Sequence, residues 1–170
     1  MTTTMRTTLA HGEYAITGGL GGLGLRAAKM LAHSGASGIA LSSRSGRVGG
    51  VAVDLEKSAM MHAAACNAGD AADALAMFAC AASTGVLHAA GVLHDTMLRS
   101  MAANDVRAVF APKALAASHV HTAVAPKPLV ALGVFSSIAS TFGNAGQANY
   151  AAANAYLDAL ALCRRRHGAH

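Results

Sequence analysis

The feature that most restricts this chain is a short apolar run, Tyr14-Ala15-Ile16-Thr17, that passes directly into Gly18-Gly19-Leu20-Gly21-Gly22-Leu23-Gly24. Behind the glycines, Leu23, Ala27, Met30 and Leu31 recur at the spacing of one helix face, so the segment reads as strand, tight turn and helix. Gly19-x-Gly21-x-x-Gly24 in isolation is weak evidence, because glycine is common in loops. Between a strand and a helix it has a physical purpose. A pyrophosphate needs unpaired N–H groups and a favourable dipole, which a helix N-terminus supplies, and a backbone that can approach without Cβ atoms in the way. Dinucleotide binding is therefore preferred over a plain glycine-rich turn.

The rest of the chain repeats the alternation. Gly35 closes the first helix, and Gly38 to Ser42 makes a second strand. Ser43 to Val53 reads as loop; Asp54 to Ala65 is expected to hold a short helix and then a weak strand over Met60 to Ala64. Ala71 to Cys80 reads as helix and Val86 to Ala90 as an apolar strand closed by Gly91. Ala103 to His121 is a predicted helix that Asn104 or Asp105 can cap. Leu129 to Phe135 is apolar without interruption, as expected of a strand covered on both faces, and the last helix runs from Ala148 to Arg166. Strands alternating with helices call for an α/β fold, a Rossmann-type three-layer sandwich with a parallel sheet and right-handed crossovers. No repeat or linker divides it, so residues 14–170 are read as one domain behind an N-terminal extension, 1–13.

Composition narrows the partners. Hydrophobic residues make up 54% of the 170 and charged residues 12%, enough to build a core, but aromatics are only 4% with no Trp. That core must be Ala, Val, Leu and Met. The net charge of +5 favours an anionic partner. The dense basic cluster, Arg164-Arg165-Arg166, has no interleaved aromatics and reads as a solvated helix end rather than a nucleic-acid surface. Cys66, Cys80 and Cys163 are too scattered for a disulfide framework or a Cys-x-x-Cys site and suit a reducing compartment. His119 and His121, two apart in a helix, face different ways, which argues against a shared metal. Leu75 to Leu93 lacks Asp, Glu, Lys and Arg, yet Ser83-Thr84-Gly85, His88 and Gly91 interrupt it, so it reads as helix end, turn and buried strand rather than a membrane span. Residues 1–11 lack a secretory signal's apolar core; their Thr-rich, acid-free composition leaves an organelle-targeting peptide as the alternative to the expected cytoplasmic location.

Two further clusters bear on chemistry. Where NAD-binding chains place an acidic residue after the second strand, this chain has Ser42-Ser43-Arg44-Ser45, a cation and hydroxyls that suit a 2′-phosphate and hence NADPH. Arg44 as an ordinary solvated loop arginine is the alternative. Near the end of the fifth strand stand Ser136 and Ser137, followed thirteen residues later by Tyr150 and, one helical turn on, by Asn154 on the same face. Lys113 falls in line with Val106, Val109, Phe110 and Ala117, a position at which a snorkelling lysine is the plainer reading.

At these residues the sequence resembles the ketoreductase domains of polyketide synthases and animal-type fatty acid synthases, members of the short-chain dehydrogenase/reductase superfamily. The segments that carry the likeness are YAITGGLGGLG from Tyr14, LSSRSG from Leu41, CNAGD from Cys66, HAAGVLHD from His88, APK from Ala111 and FSSIASTFGNAGQANYAAANAYLDALA from Phe135. The last is the most specific: ordinary superfamily members carry Tyr-x-x-x-Lys, whereas this subfamily puts Asn after the Tyr and takes its Lys from the preceding helix. The resemblance implies a sheet ordered 3-2-1-4-5 and a catalytic set of Lys113, Ser137, Tyr150 and Asn154. Tyr150 is implied to be the general acid that protonates a β-keto oxygen as hydride arrives, with Lys113 stabilising its phenolate. Ser137 is implied to bond the substrate oxygen, and Asn154 to hold the group that returns the proton. Thr17, Gly18, Gly19, Gly21, Gly22, Leu23, Gly24, Ser43, Arg44, Asn67, Ala89, Ala90 and Gly91 are implied to line the NADPH site. The substrate implied is a β-ketoacyl thioester on the phosphopantetheine arm of an acyl carrier protein, among other synthase domains.

Departures accompany the likeness. Asn67 stands where relatives have an Asp that accepts from the adenine amino group; an amide oxygen can still accept. Leu93-His94-Asp95 resembles a Leu-Asp-Asp signature with only Asp95 kept, and Val134 stands where domains of the opposite stereochemical class tend to carry Trp; both lean towards a D-configured alcohol. The segment from Arg44 to Gly85 is shorter than the family norm, which places the third strand in question. Family members continue beyond the last helix with a strand, a lid helix and a closing strand, so the sheet is expected to lack its later strands and to leave strand five as an edge. The alternative to a working reductase is a non-catalytic NADP-binding fragment or remnant of a larger synthase.

Overall fold

The computed structural model of the chain describes residues 11–47, 60–79 and 82–168. Among these described residues five parallel strands lie in the order β3-β2-β1-β4-β5: β1 (Glu13–Thr17), β2 (Gly38–Ser43), β3 (Met60–Ala65), β4 (Gly85–His88) and β5 (Ala131–Val134). The helices are α1 (Gly22–His33), α2 (Ala71–Ala79), α3 (Ala103–Phe110), α4 (Ala116–Val124), the single turn α5 (Ala139–Phe142) and α6 (Ala148–Arg166). This is the expected Rossmann-type arrangement. The weak third strand forms in spite of its short approach, pairing Met60 with Gly38 through to Ala65 with Ser43. The short helix expected before it, the loop beyond Arg47, and Cys80 lie outside the described residues, as does most of the N-terminal extension.

Alternate residues of β1 supply the two sides of the core. Tyr14 and Ile16 join Ile39 and Leu41 against Ala27, Ala28 and Leu31 of α1. Ala15, pointing the other way, joins Val86 against Phe78, Ala116, Val120 and Val124 of α2 and α4. A third, smaller cluster of Val109, Ala114 and Ala153, with Phe110 and Tyr150 packed on it, ties α3 to α6. Small side chains dominate throughout, as the scarcity of aromatics requires.

Four expectations are corrected. The buried face of α1 is Gly24, Ala27, Ala28, Leu31 and Ala32, whereas Leu23 and Met30 are 49% and 63% exposed; the buried stripe is therefore rotated from the one that hydrophobicity marks out, because the helix lies close to the sheet and seats mainly small residues along its seam. β5 is half-buried along its length rather than covered on both faces as its apolar run alone suggests, in keeping with the edge position that the family likeness implies for it. The helix predicted from Ala103 to His121 forms and runs on to Val124, but not as a regular α-helix throughout: α3 and α4 are joined by one turn of π-helix, Ala111–Leu115. Pro112 has no N–H to give and its ring crowds the preceding turn, so the backbone widens there. The cap of α3 also differs. Ala102 holds the N-cap position, and the Asp105 carboxylate reaches back from inside the helix to accept its N–H at 2.8 Å.

The charge-free stretch from Leu75 contains, as expected, the end of α2 and the strand β4. No helix among the described residues is long and apolar enough to cross a membrane, and no cluster of His, Cys, Asp and Glu among them could hold a metal ion.

Candidate active site

The turn between β1 and α1 is shaped by the lack of side chains. Gly18 has φ +70°, and a Cβ there would lie 2.5 Å from the Ala90 backbone. At Gly24 it would lie 2.5 Å from the Cα of Gly19, so the helix can pack on the turn only where residue 24 is glycine. Gly19 donates its N–H to the carbonyl of Ser42 at 2.9 Å, locking the turn to the end of β2. The helix begins at Gly21 with no side-chain cap and no acidic residue in its first turn. Its N–H groups are thus open to an anion, and the dipole favours one.

A cleft of about 280 Å³ runs from this turn across the carboxyl ends of the strands, lined by Gly18, Gly21, Ser43, Arg44, Asn67 and the Ala89-Ala90-Gly91 segment among others. Arg44 is exposed at its edge. Asn67 presents an amide whose Oδ1 accepts only a long bond, 3.3 Å, from the N–H of Gly69. Thr17 is different: it is wholly buried, and its hydroxyl is spent on His88 Nδ1 at 2.6 Å rather than facing the cleft.

A second hollow of about 290 Å³ continues past Gly21, Gly22, Leu23 and Gly91 to Lys113, Ser136 and Tyr150. Lys113 arrives on the π-turn and Tyr150 on the first turn of α6, and the ammonium lies 5.3 Å from the centre of the phenol ring. Lys113 is only 5% exposed and donates from Nζ to the carbonyl of Phe135 at 3.0 Å. Burial pushes its pKa below the ordinary lysine value. An added Cβ on Gly91 would come within 3.4 Å of this ammonium, so the glycine leaves Lys113 its place beside the cleft.

Ser137 stands just beyond β5, where its Oγ accepts the N–H of Ala139 at 3.2 Å and shapes the short turn into α5. Ser136, its neighbour, is the serine that lines the hollow with Tyr150, and its hydroxyl donates to the backbone carbonyl of Asn154. The Asn154 side chain is fully buried on α6; its amide donates to the carbonyl of Tyr150 at 2.8 Å, and its Oδ1 has no hydrogen-bond partner among the described residues. Asp95 lies on the exposed loop after β4 and accepts both bonds of the Gln147 amide, at 3.2 and 3.0 Å.

Sequence reasoning missed the contacts that hold this corner together. Asn149, 3% exposed, donates to the carbonyls of His94 and Asp105 and so fastens both the loop and α3 to the start of α6. His94 bonds the Asp105 carboxylate at 2.9 Å, and that carboxyl is held below its ordinary pKa first by the Ala102 N–H and then by His94. His88 joins β4 to the π-turn. The proline inside an otherwise helical pattern was the one sequence signal that could have revealed the widened turn.

A glycine-cradled, uncapped helix start beside a Lys–Tyr pair at the carboxyl rim of a 3-2-1-4-5 sheet defines the short-chain dehydrogenase/reductase class. A short-chain dehydrogenase/reductase from Vibrio parahaemolyticus has the same fold at TM-score 0.79 over 91% of this chain and 69% of its own, with 19% identity. The KR domain family matches residues 12–170, and the chain belongs to that family. It is 45% identical over 168 residues to the spectinabilin polyketide synthase system protein NorA′ of Streptomyces orinoci, covering 93% of this chain and 5% of that protein. It is 41% identical over 166 residues to the polyketide synthase GfsA of Streptomyces halstedii, covering 92% of this chain and 2% of that protein. Among solved structures, A-type ketoreductases from a modular polyketide synthase superpose with TM-score 0.88 and 40% identity over 95% of this chain. The first ketoreductase of the tylosin synthase superposes with TM-score 0.88 and 36% identity over 94%. The chain spans 36% of the length of each of these two structures.

Proposed function

We propose that residues 14–170 act as an NADPH-dependent ketoreductase domain, reducing a β-ketoacyl thioester carried by an acyl carrier protein to the β-hydroxyacyl thioester within a larger synthase. One observation carries the reading. A buried lysine and a tyrosine from different helices meet beside a cleft that begins at an open helix N-terminus.

The residues present fit the cofactor. The glycine turn is a cradle that a single Cβ would fill, and the uncapped start of α1 suits a pyrophosphate. Ser43 and the exposed Arg44 suit a 2′-phosphate, Asn67 offers an acceptor to adenine, and Ala89, Ala90 and Gly91 form the floor. NADPH, when bound, supplies the hydride. Tyr150 would then give its phenolic proton to the ketone oxygen, and the Lys113 ammonium would stabilise the phenolate left behind. The Ser137 hydroxyl would turn from the Ala139 N–H to the substrate oxygen. Asn154, with a buried Oδ1 to satisfy, would hold a water that returns the proton. Asp95 would influence stereochemistry by fixing its loop on Gln147. An acyl chain finds company at the rim, where Leu93, Ile138 and Phe142 are 61%, 79% and 82% exposed. The free thiols of Cys66 and Cys163 suit a reducing cytoplasm.

The test follows NADPH oxidation with a β-ketoacyl thioester mimic in the unaltered protein and in Tyr150→Phe. A loss of about a thousandfold or more in kcat is expected, with cofactor affinity little changed. Equal and negligible rates in both proteins would overturn the reading in favour of a non-catalytic nucleotide-binding remnant.

A further inference from the structure

A lysine supplied from a different helix must be held at both ends if its ammonium is to stay beside the phenol, and the π-turn that carries Lys113 is a poor anchor. Pro112 lacks an N–H, and Ala111–Leu115 is wound as a wider π-turn in place of the regular α-helical ladder. The missing anchor comes from β4. His88, 1% exposed, places Nε2 2.9 Å from the carbonyl of Lys113. A carbonyl only accepts, so Nε2 bears the hydrogen, and Nδ1 must accept from the Thr17 hydroxyl at 2.6 Å. Burial is the main reason the ring stays neutral, its pKa pushed down to about 4.

These bonds close a circuit. His88 Nε2 donates to the Lys113 carbonyl, Lys113 Nζ donates to the Phe135 carbonyl at 3.0 Å, and the Phe135 N–H donates to the His88 carbonyl at 3.1 Å. Three residues from three elements each hold the next, and Lys113 is gripped at its backbone and at its ammonium. We propose that His88 is a positioning residue for Lys113, its ring fixed in one tautomer by Thr17 so that the Nε2 hydrogen sets the π-turn and aims the ammonium at Tyr150. The role in turnover rests on the ketoreductase reading above, whereas the positioning itself does not.

Two substitutions separate this role from packing. Asn in His88→Asn can still accept from Thr17 but is too short to reach the Lys113 carbonyl, whereas Gln in His88→Gln can place an N–H near the position of Nε2. The readout independent of catalysis is the titration of Lys113, one of four lysines, followed by NMR of protein labelled at lysine Cε. In His88→Asn the Lys113 midpoint is expected to rise towards the ordinary lysine value as the ammonium loses its buried seat. Turnover with the thioester mimic should fall at least about tenfold while NADPH affinity holds. His88→Gln should restore both. An unmoved Lys113 titration in folded His88→Asn, or no rescue by His88→Gln, would overturn the proposal. If His88→Asn does not fold, Thr17→Val, which removes only the hydroxyl that sets the tautomer, must move Lys113 in the same direction by a smaller amount, and no movement there overturns it equally. Absence of turnover in the unaltered protein would sink the ketoreductase reading alone, because the Lys113 titration still decides the part played by His88.

Discussion

The two ends of the cleft are built on opposite principles. The proposed cofactor end is made by omission: Gly18, Gly19, Gly21 and Gly24 lie within seven consecutive residues, and its shape depends on Cβ atoms that are absent. The proposed catalytic end is made by convergence. His88, Lys113, Phe135 and Tyr150 come from four separate elements, and its shape depends on side chains that hold one another. Damage should therefore spread differently. A substitution at the first end disturbs the fold and binding together, whereas one at the second can remove chemistry and leave the fold intact.

Lys113→Met should break this contrast most visibly if it is wrong. Methionine matches the stem in length, fits the apolar stripe beside Val109 and Ala117, and removes a charge that burial disfavours. Turnover is expected to fall by about a thousandfold, near 4 kcal/mol of activation free energy. Melting temperature should stay level or rise, and NADPH affinity should hold. A variant that loses cofactor binding in step with turnover would show that the two ends are one mechanical unit.

Acid is the next lever. His88 is buried and neutral, with its folded pKa at about 4 against 6.5 for a free imidazole. The unfolded chain therefore binds the proton that the folded chain refuses, and stability present above pH 6.5 is lost as pH falls towards 4. The full contribution is about 3 kcal/mol. Denaturant unfolding between pH 7 and pH 4 should show that slope, and His88→Gln should flatten it. An unchanged slope in the variant would place the acid sensitivity elsewhere.

Gly24→Ala probes the other end. Alanine gains about 1 kcal/mol over glycine in a helix interior. Against that, its Cβ would stand 2.5 Å from the Cα of Gly19 and 2.6 Å from the carbonyl of Gly18, backbone atoms that cannot rotate away. Overpacking of this kind costs about 3 kcal/mol, so a net loss near 2 kcal/mol is expected, with weaker NADPH binding in parallel. A stabilised variant would mean that the helix does not need the close approach.

The same contrast explains what could be read from the sequence. The cofactor end was legible because its residues are neighbours in the chain: a strand, glycines and a helix in succession name their own geometry. The alternating pattern likewise gave all five strands and the limits of α6. The catalytic end could be gathered only through a family likeness, because nothing local in Lys113 distinguishes a buried partner of Tyr150 from a snorkelling side chain. His88 was hidden for a further reason. In sequence it is one polar residue in an apolar strand, and only the fold shows that Thr17 and Lys113 flank its ring. Hydrophobicity misled at α1, where Leu23 and Met30 lie outside and alanines lie inside. Tight packing on a sheet selects size before hydrophobicity.

Arg44 is the exception that sharpens the comparison, for here the cofactor end relies on a side chain. It is exposed at the edge of the cleft beside Ser43 and makes no contribution to the core, so Arg44→Ala should leave melting unchanged. Its expected partner is the phosphate that separates NADPH from NADH, and a charge-assisted bond at an exposed site contributes about 1.4 kcal/mol, or tenfold in Kd. NADPH should bind about tenfold more weakly, NADH should bind as before, and the loss should shrink as salt is raised. Isothermal titration with both cofactors at two ionic strengths distinguishes the possibilities. Equal loss for both cofactors would mean that Arg44 shapes the loop rather than reads the phosphate, and the cofactor end would then be made of backbone alone.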